Sequence, residues 1–236
     1  MQKKVIYVCG HPKSGNTWLT RLLGSVLNSP TGGCMPSQDG KEIATEGQDR
    51  TGDYFIRKGH FTFTDEGDCL VPSPHKMNLK YLTNEKIVFI VRDPRDICVS
   101  GAYHWNTSPE DFLGRMIRGK VANVGRWDDY CEGWFDIIPY PLKYEDLIES
   151  PRAYLVGLLI EGLGIDTNIT KKQLDNAIEY QSFESISNRL PKSDHKRNNL
   201  RKGIVSDWRN VFTKDMNKRI WREFGKTMQR LGYEYH

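Results

Sequence analysis

Between Val5 and Leu23 the chain reads VIYVCGHPKSGNTWLTRLL, an apolar run, a turn bounded by two glycines, and a helical pattern. A turn between a buried strand and a helix aims several backbone N–H groups at one point, and the helix start adds partial positive charge. Gly10 and Gly15 allow a tight turn and a close backbone approach to a ligand. Lys13 brings a full positive charge, and Thr17 a hydroxyl in the first helical turn. The chemistry of such a set is anion binding. The ATP-type loop follows G-x-x-x-x-G-K-[ST]. Here the glycines keep that separation, but Lys13 lies inside the turn and Asn16 stands where that lysine would be.

The surrounding pattern says what must hold this turn in place. KKVIYVCG is a continuous apolar strand of the kind buried in a parallel sheet. In the helix after it, Trp18, Leu22 and Val26 line one side, with Leu19, Leu23 and Leu27 beside them. SPTGGCMPSQDG breaks the regularity, and DYFIRKGHFTF reads as a second strand. EKIVFIV is a further strand, and RDPRDICVSGAYHW a helix with Asp93 as N-cap and Pro94 at its first position. WDDYCEGWFDI reads as a helix and YPLKYEDL as a short strand. SPRAYLVGLLIEGLGI and TKKQLDNAIEYQSFESISN read as helices starting at Ser150 or Pro151 and at Thr170. PKSDHKRNNLRKGIVSDWRN is a basic loop, and the last helix runs from about Thr213 to Leu231. No repeat or linker is visible. The alternation predicts an α/β fold: a single domain over 1–236, with a central mainly parallel β-sheet flanked by helices and a P-loop-like anion loop.

Composition narrows the class. The chain has 236 residues, 27% charged and 38% hydrophobic, enough to bury a substantial core without staples. A net charge of +4 is too weak and too evenly spread for a nucleic-acid binder, but it suits an anionic small molecule. Cys9, Cys34, Cys69, Cys98 and Cys131 are odd in number and lack C-x-x-C spacing. They predict reduced thiols in a cytoplasmic setting, with Cys9 and Cys98 packing as small hydrophobes and no zinc site. No run approaches the roughly 18–20 apolar residues of a membrane span. MQKK leads directly into a strand, so no signal peptide is expected.

The stretch PKSGNTW, Pro12 to Trp18, resembles the phosphosulfate-binding loop of sulfotransferases that use 3′-phosphoadenosine 5′-phosphosulfate (PAPS), especially the cytosolic type. Most of those relatives carry threonine at the position of Asn16. Two more signatures match in order and spacing. The second pairs a strand-ending arginine with a serine eight residues on, here Arg92 and Ser100 in FIVRDPRDICVS. Ser100 lies about two helical turns beyond Asp93, so both groups reach one oxyanion. The third is similar to R-K-G-x-x-G-D-W-K-N-x-F-T, here RKGIVSDWRNVFT, with Ser206 in place of the usual glycine. The resemblance implies that Lys13, Ser14, Gly15, Asn16, Thr17 and Trp18 hold the phosphosulfate end of PAPS. It implies further that Arg92, Ser100, Arg201, Lys202 and Gly203 hold the 3′-phosphate. Tyr144 in LKYEDL and Phe183 in QSFESI match segments that contact the adenine, and Trp18 offers a second stacking face.

The implied reaction moves a sulfuryl group in line from PAPS to a hydroxyl or amine, leaving adenosine 3′,5′-bisphosphate (PAP), with no metal required. Lys13 is the candidate for charge on the bridging oxygen. The family carries K-x-H on a strand between the first two signatures, here Lys58-Gly59-His60, and strand alternation puts both side chains on one face. His60 is then the expected general base and Lys58 a second sulfate contact, with His75 as competitor for the base or as part of the acceptor pocket. His104 reads as a structural histidine. The acceptor is expected to be a small molecule, with Phe61, Phe63, Tyr103 and Trp105 hinting at an apolar or ring-bearing one. Segments 29–53, 61–80 and 104–126 carry no motif that identifies it. The relatives' dimer motif K-x-x-x-T-V-x-x-x-E gives Arg209, Thr213, Lys214 and Lys218 in this frame, which favours a monomer. The alternative reading is a P-loop kinase or nucleotidase using ATP and Mg²⁺, with Asp93 imitating an acidic strand end.

Overall fold

The first strand, β1 (Lys4–Cys9), is buried from Ile6 onward, and its side chains alternate between two cores. Ile6 and Val8 face one core; Tyr7 and Cys9 face the other. This computed structural model describes residues 3–33, 44–60, 62–63, 68–70, 76–78, 86–138, 140–165, 168–191, 193 and 202–236, with backbone alone for the short strands within 62–78. Helix α1 (Asn16–Val26) buries Leu19, Leu22, Leu23 and Val26 and leads to β2 (Thr31–Gly32). β3 (Ala44–Glu46), β4 (Tyr54–Gly59) and β8 (Lys86–Val91) follow, then β9 (Leu142–Lys143). The sheet order is β3-β2-β4-β1-β8-β9, and every neighbouring pair is parallel except β2 with β3. The α/β reading with a mainly parallel central sheet is therefore correct.

The order matters for function. The chain leaves β1 through α1 to build β2 and β4 on one side, then returns to place β8 on the other. In open parallel sheets the crevice at the carboxyl ends of the strands, where such a reversal occurs, is the ligand site. The loop after β1, His60 after β4 and Arg92 after β8 all lie there, on three adjacent strands.

One face of the sheet is covered by α2 (Pro94–His104), α3 (Pro109–Ile117), α4 (Trp127–Phe135) and the long α9 (Lys214–Arg230). The other is covered by α1, α5 (Tyr144–Glu149), α6 (Pro151–Gly157) and α7 (Lys171–Tyr180). Helix α8 (Phe183–Arg189) follows α7.

Several elements differ from the sequence reading. The second strand stops at Gly59, because β1 turns away at Gly10 and no ladder partner remains beyond Cys9↔Gly59. Thr62–Phe63 instead forms β5 of a separate antiparallel sheet with β6 (Asp68–Leu70) and β7 (Lys76–Asn78). YPLKYEDL keeps only Leu142–Lys143 as strand, since β8 ends opposite Lys143; α5 then starts with Glu145 and Asp146 in its first turn. The Thr170 helix divides at Gln181–Ser182, where the Ser182 hydroxyl accepts from Ser185 N and caps a new helix. Helix α6 widens into a π turn over Leu158–Gly162. Segment 104–126, for which the sequence reading gave no element of its own, contains α3. Its Ser108 cap, Pro109 at N1 and Glu110 and Asp111 in the first turn were a legible start signal.

Candidate functional site

A cavity of about 580 Å³ opens at the carboxyl ends of β4, β1 and β8. From the loop after β1 it is lined by Lys13, Gly15, Asn16, Thr17 and Trp18. Lys13 (φ 74°) and Gly15 (φ 101°) both adopt left-handed backbone, which bends the chain into an anion-binding nest. Glycine is required at 15: a Cβ there would sit 2.5 Å from Tyr144 Cδ2. At Gly10 a Cβ would meet Ile90 O at 2.5 Å, so the first glycine serves tight packing against β8. Ser14 is fully buried and does not line the cavity; its N–H donates to His11 O at 3.1 Å.

Asn16 lines the cavity but spends its side-chain amide within the protein. Its amide nitrogen donates to Gly10 O (2.9 Å) and to Gly59 O (3.1 Å), so both hydrogens are spent within the protein. The side chain has no N–H left for a phosphate; only the backbone N–H at the start of α1 remains for that purpose.

Lys58 and His60 line the cavity from the end of β4. His60 Nδ1 lies 2.7 Å from Gly10 O. A carbonyl only accepts, so Nδ1 carries the proton and Nε2 keeps its lone pair. Burial lowers the His60 pKa to about 4; the Gly10 bond opposes this, while the charges of Lys58 and Lys13 add to it. The ring is neutral at pH 7. His11, inside the loop, is held neutral more strongly, with a pKa lowered to about 3 by burial.

Arg92 ties the three predicted segments together. Its guanidinium donates to Lys13 O (3.4 Å) and Ile204 O (3.5 Å), pairs with Asp96 at 3.7 Å and lies 4.3 Å over the Tyr144 ring. These are long contacts, so the group is oriented toward the cavity without being saturated by short bonds. Asp96, fully buried, accepts from Ser206 N (2.7 Å) and Trp208 N (3.0 Å) and thereby anchors the third segment to α2. Burial raises the Asp96 pKa, while Arg92 and the two backbone donors oppose the rise. Ser100, Lys202 and Gly203 line the same cavity, and Lys202 pairs with Asp207 at 3.0 Å. Arg201 lies outside the described residues. Gly203 (φ 67°) packs so closely on Phe183 that a Cβ would come within 2.7 Å of the ring. Ser206, where relatives carry glycine, has φ 62°, which explains the glycine preference.

Trp18, Tyr144 and Phe183 all line the cavity. Trp18 Nε1 donates to Gln181 O (2.7 Å) and meets Tyr144 edge-on at 5.9 Å. The break between α7 and α8 frees that carbonyl and places Phe183 at the start of α8, beside Gly203.

The acceptor residues fare differently. His75 and Phe61 lie outside the described residues. Tyr103 is 47% exposed and does not line the cavity; His104 and Trp105 do. Spacing did not separate them: Tyr103 and His104 lie three and four residues after Ser100, both neighbours of it on a helix. Asp93, offered as a magnesium ligand in the ATP reading, is gripped by Arg95 through contacts of 2.7–3.1 Å and caps α2 at Arg95 N. Among the described residues no group of three or more His, Cys, Asp or Glu is placed to hold a metal ion, and no helix is long and apolar enough to cross a membrane.

Fold and site together define an α/β protein with an anion-binding loop at the switch point of a parallel sheet. A sulfotransferase domain model matches residues 3–232, and the chain belongs to the sulfotransferase family. It is 27% identical to sulfotransferase 1B1 of Canis lupus familiaris, over 91% of this chain and 80% of that protein. It is 22% identical to the amine sulfotransferase of Oryctolagus cuniculus, over 95% and 80%. In structure it resembles a mouse sulfotransferase complexed with PAP, with a TM-score of 0.72, 21% identity and coverage of 97% of this chain and 85% of that one. A retinol dehydratase in complex with androsterone and PAP gives 0.65 at 16% identity, over 97% and 82%.

Proposed function

We propose that the chain, acting as one domain, transfers the sulfuryl group of PAPS to a hydroxyl or amine of a small-molecule acceptor and releases PAP. The observation that carries this reading is the His60 ring: its Nδ1–H is committed to Gly10 O, its Nε2 is free to accept, and it stands beside the Lys13 loop. In the transfer, the bond from sulfur to the phosphate oxygen breaks and a bond from sulfur to the acceptor atom forms, while the acceptor proton passes to His60 Nε2. Lys13 offsets charge developing on the leaving phosphate, and Lys58 holds the sulfuryl oxygens. The backbone of the loop and Thr17 take the 5′-phosphate. Arg92, Ser100, Lys202, Gly203 and Arg201 take the 3′-phosphate, and Trp18, Tyr144 and Phe183 the adenine.

A base with a pKa of about 4 is weak at neutral pH. The anionic cosubstrate offsets the Lys58 and Lys13 charges and so raises the His60 pKa in the complex, against the larger effect of burial. His104 and Trp105 on the cavity wall favour a ring-bearing acceptor. Exposed Lys214 and Lys218 at the relatives' dimer motif favour a monomer. The buried thiols of Cys9, Cys98 and Cys131, none in a disulfide, fit a reducing compartment such as the cytoplasm. The test is His60→Gln with labelled PAPS and a panel of phenols, alcohols and amines. Turnover falls by roughly 10²- to 10⁴-fold while PAP affinity by calorimetry holds; undiminished turnover refutes the base.

A further inference from the structure

We propose that Asn16 is a positioning residue for the general base, an inference that rests on the reading of His60 above. The β1–β4 ladder ends at Cys9↔Gly59, so no backbone rung holds Gly10 and His60 in register beyond it. The Asn16 amide supplies the missing rung. One nitrogen binds both the carbonyl that orients the imidazole, Gly10 O, and the carbonyl immediately before the base, Gly59 O. Gly10 O has two lone pairs and takes Asn16 Nδ2 and His60 Nδ1 together, at 2.9 and 2.7 Å.

Asn16 is 3% exposed and is the first residue of α1, so the rung is anchored on a rigid element. One buried side chain thus joins the anion loop to the end of β4, beside the direct bond from His60 to Gly10 O. Asn16→Leu keeps the size of the side chain but removes both donors, so Gly59 O loses this partner and only the His60 bond ties Gly10 O to the base. Displacements of about 1 Å at a reacting centre cost up to roughly a hundredfold in rate.

The experiment compares Asn16→Leu and Asn16→Ala in the native and His60→Gln backgrounds, measuring kcat, KM for PAPS and PAP affinity by calorimetry. The expected result is a kcat loss of roughly tenfold to a hundredfold in the native background. KM for PAPS and PAP affinity stay nearly unchanged, and no further kcat loss appears when His60 is already replaced. Native kcat in both Asn16 variants overturns the inference. So does an equal loss in both backgrounds, which means Asn16 acts independently of His60. A loss confined to PAP affinity makes Asn16 a ligand contact instead and also overturns it. If His60→Gln alone retains full kcat, the base assignment fails and this inference with it, an outcome read from that variant by itself. If Asn16→Leu fails to bind PAP because it does not fold, Asn16→Ala, which is smaller and clashes with nothing new, decides by the same criteria.

Discussion

Acidification should unfold this protein through two histidines that the fold keeps neutral. His60 has a pKa lowered to about 4 and His11 to about 3, against 6.5 when exposed. Between pH 6.5 and those lower values the unfolded chain binds protons that the folded chain refuses. Stability therefore falls as pH drops through that window, and the loss is complete only below the folded pKa. Between pH 7 and pH 5, the difference in proton uptake amounts to about 2 kcal/mol for each histidine. Asp96 and Glu145 act with the opposite sign, because burial raises their pKa values and makes the fold the stronger proton binder. A wild-type titration alone would mix these terms. The assay is urea unfolding at pH 7, 6 and 5 for wild type, His60→Gln and His11→Gln. Each variant is expected to lose about 2 kcal/mol less than wild type from pH 7 to pH 5. Variants whose loss parallels wild type would refute the claim that the fold holds these rings neutral.

Arg92→Ala should weaken PAP binding by about 1.5–3 kcal/mol in calorimetry, the worth of hydrogen bonds to a charged group; unchanged affinity would remove Arg92 from the anion site. Gly15→Ala should destabilise the fold by at least about 1–2 kcal/mol in thermal or urea unfolding and abolish PAP binding, since φ is 101° and the new Cβ meets Tyr144 at 2.5 Å. Ser206→Gly should stabilise by about 0.5–1 kcal/mol, because the native φ of 62° costs serine more than glycine; a destabilised variant would show that the serine hydroxyl holds the turn. In a thermal-shift comparison PAP without metal should raise the Tm, while ATP with Mg²⁺ should not; the reverse would favour the ATP reading.

What the sequence determined by itself was local. The strand–turn–helix around Gly10 and Gly15, the Asp93 cap of α2 and the Arg92-to-Ser100 spacing all depend on residues within one or two turns of each other. Backbone periodicity alone directs such side chains, so their types and spacing could be read directly. The alternating pattern likewise announced the parallel sheet. Only the tertiary structure decided what lies opposite what. Placing β1 between β4 and β8 brought the Asn16 amide against the Gly59 carbonyl, 43 residues away. The same order set His60 Nδ1 on Gly10 O and thereby chose its tautomer. Packing against Trp18 accompanied the break between α7 and α8, and Arg95 closed over Asp93. These contacts join elements far apart in the chain. Their distances follow from sheet order and helix packing, which no spacing within one element encodes.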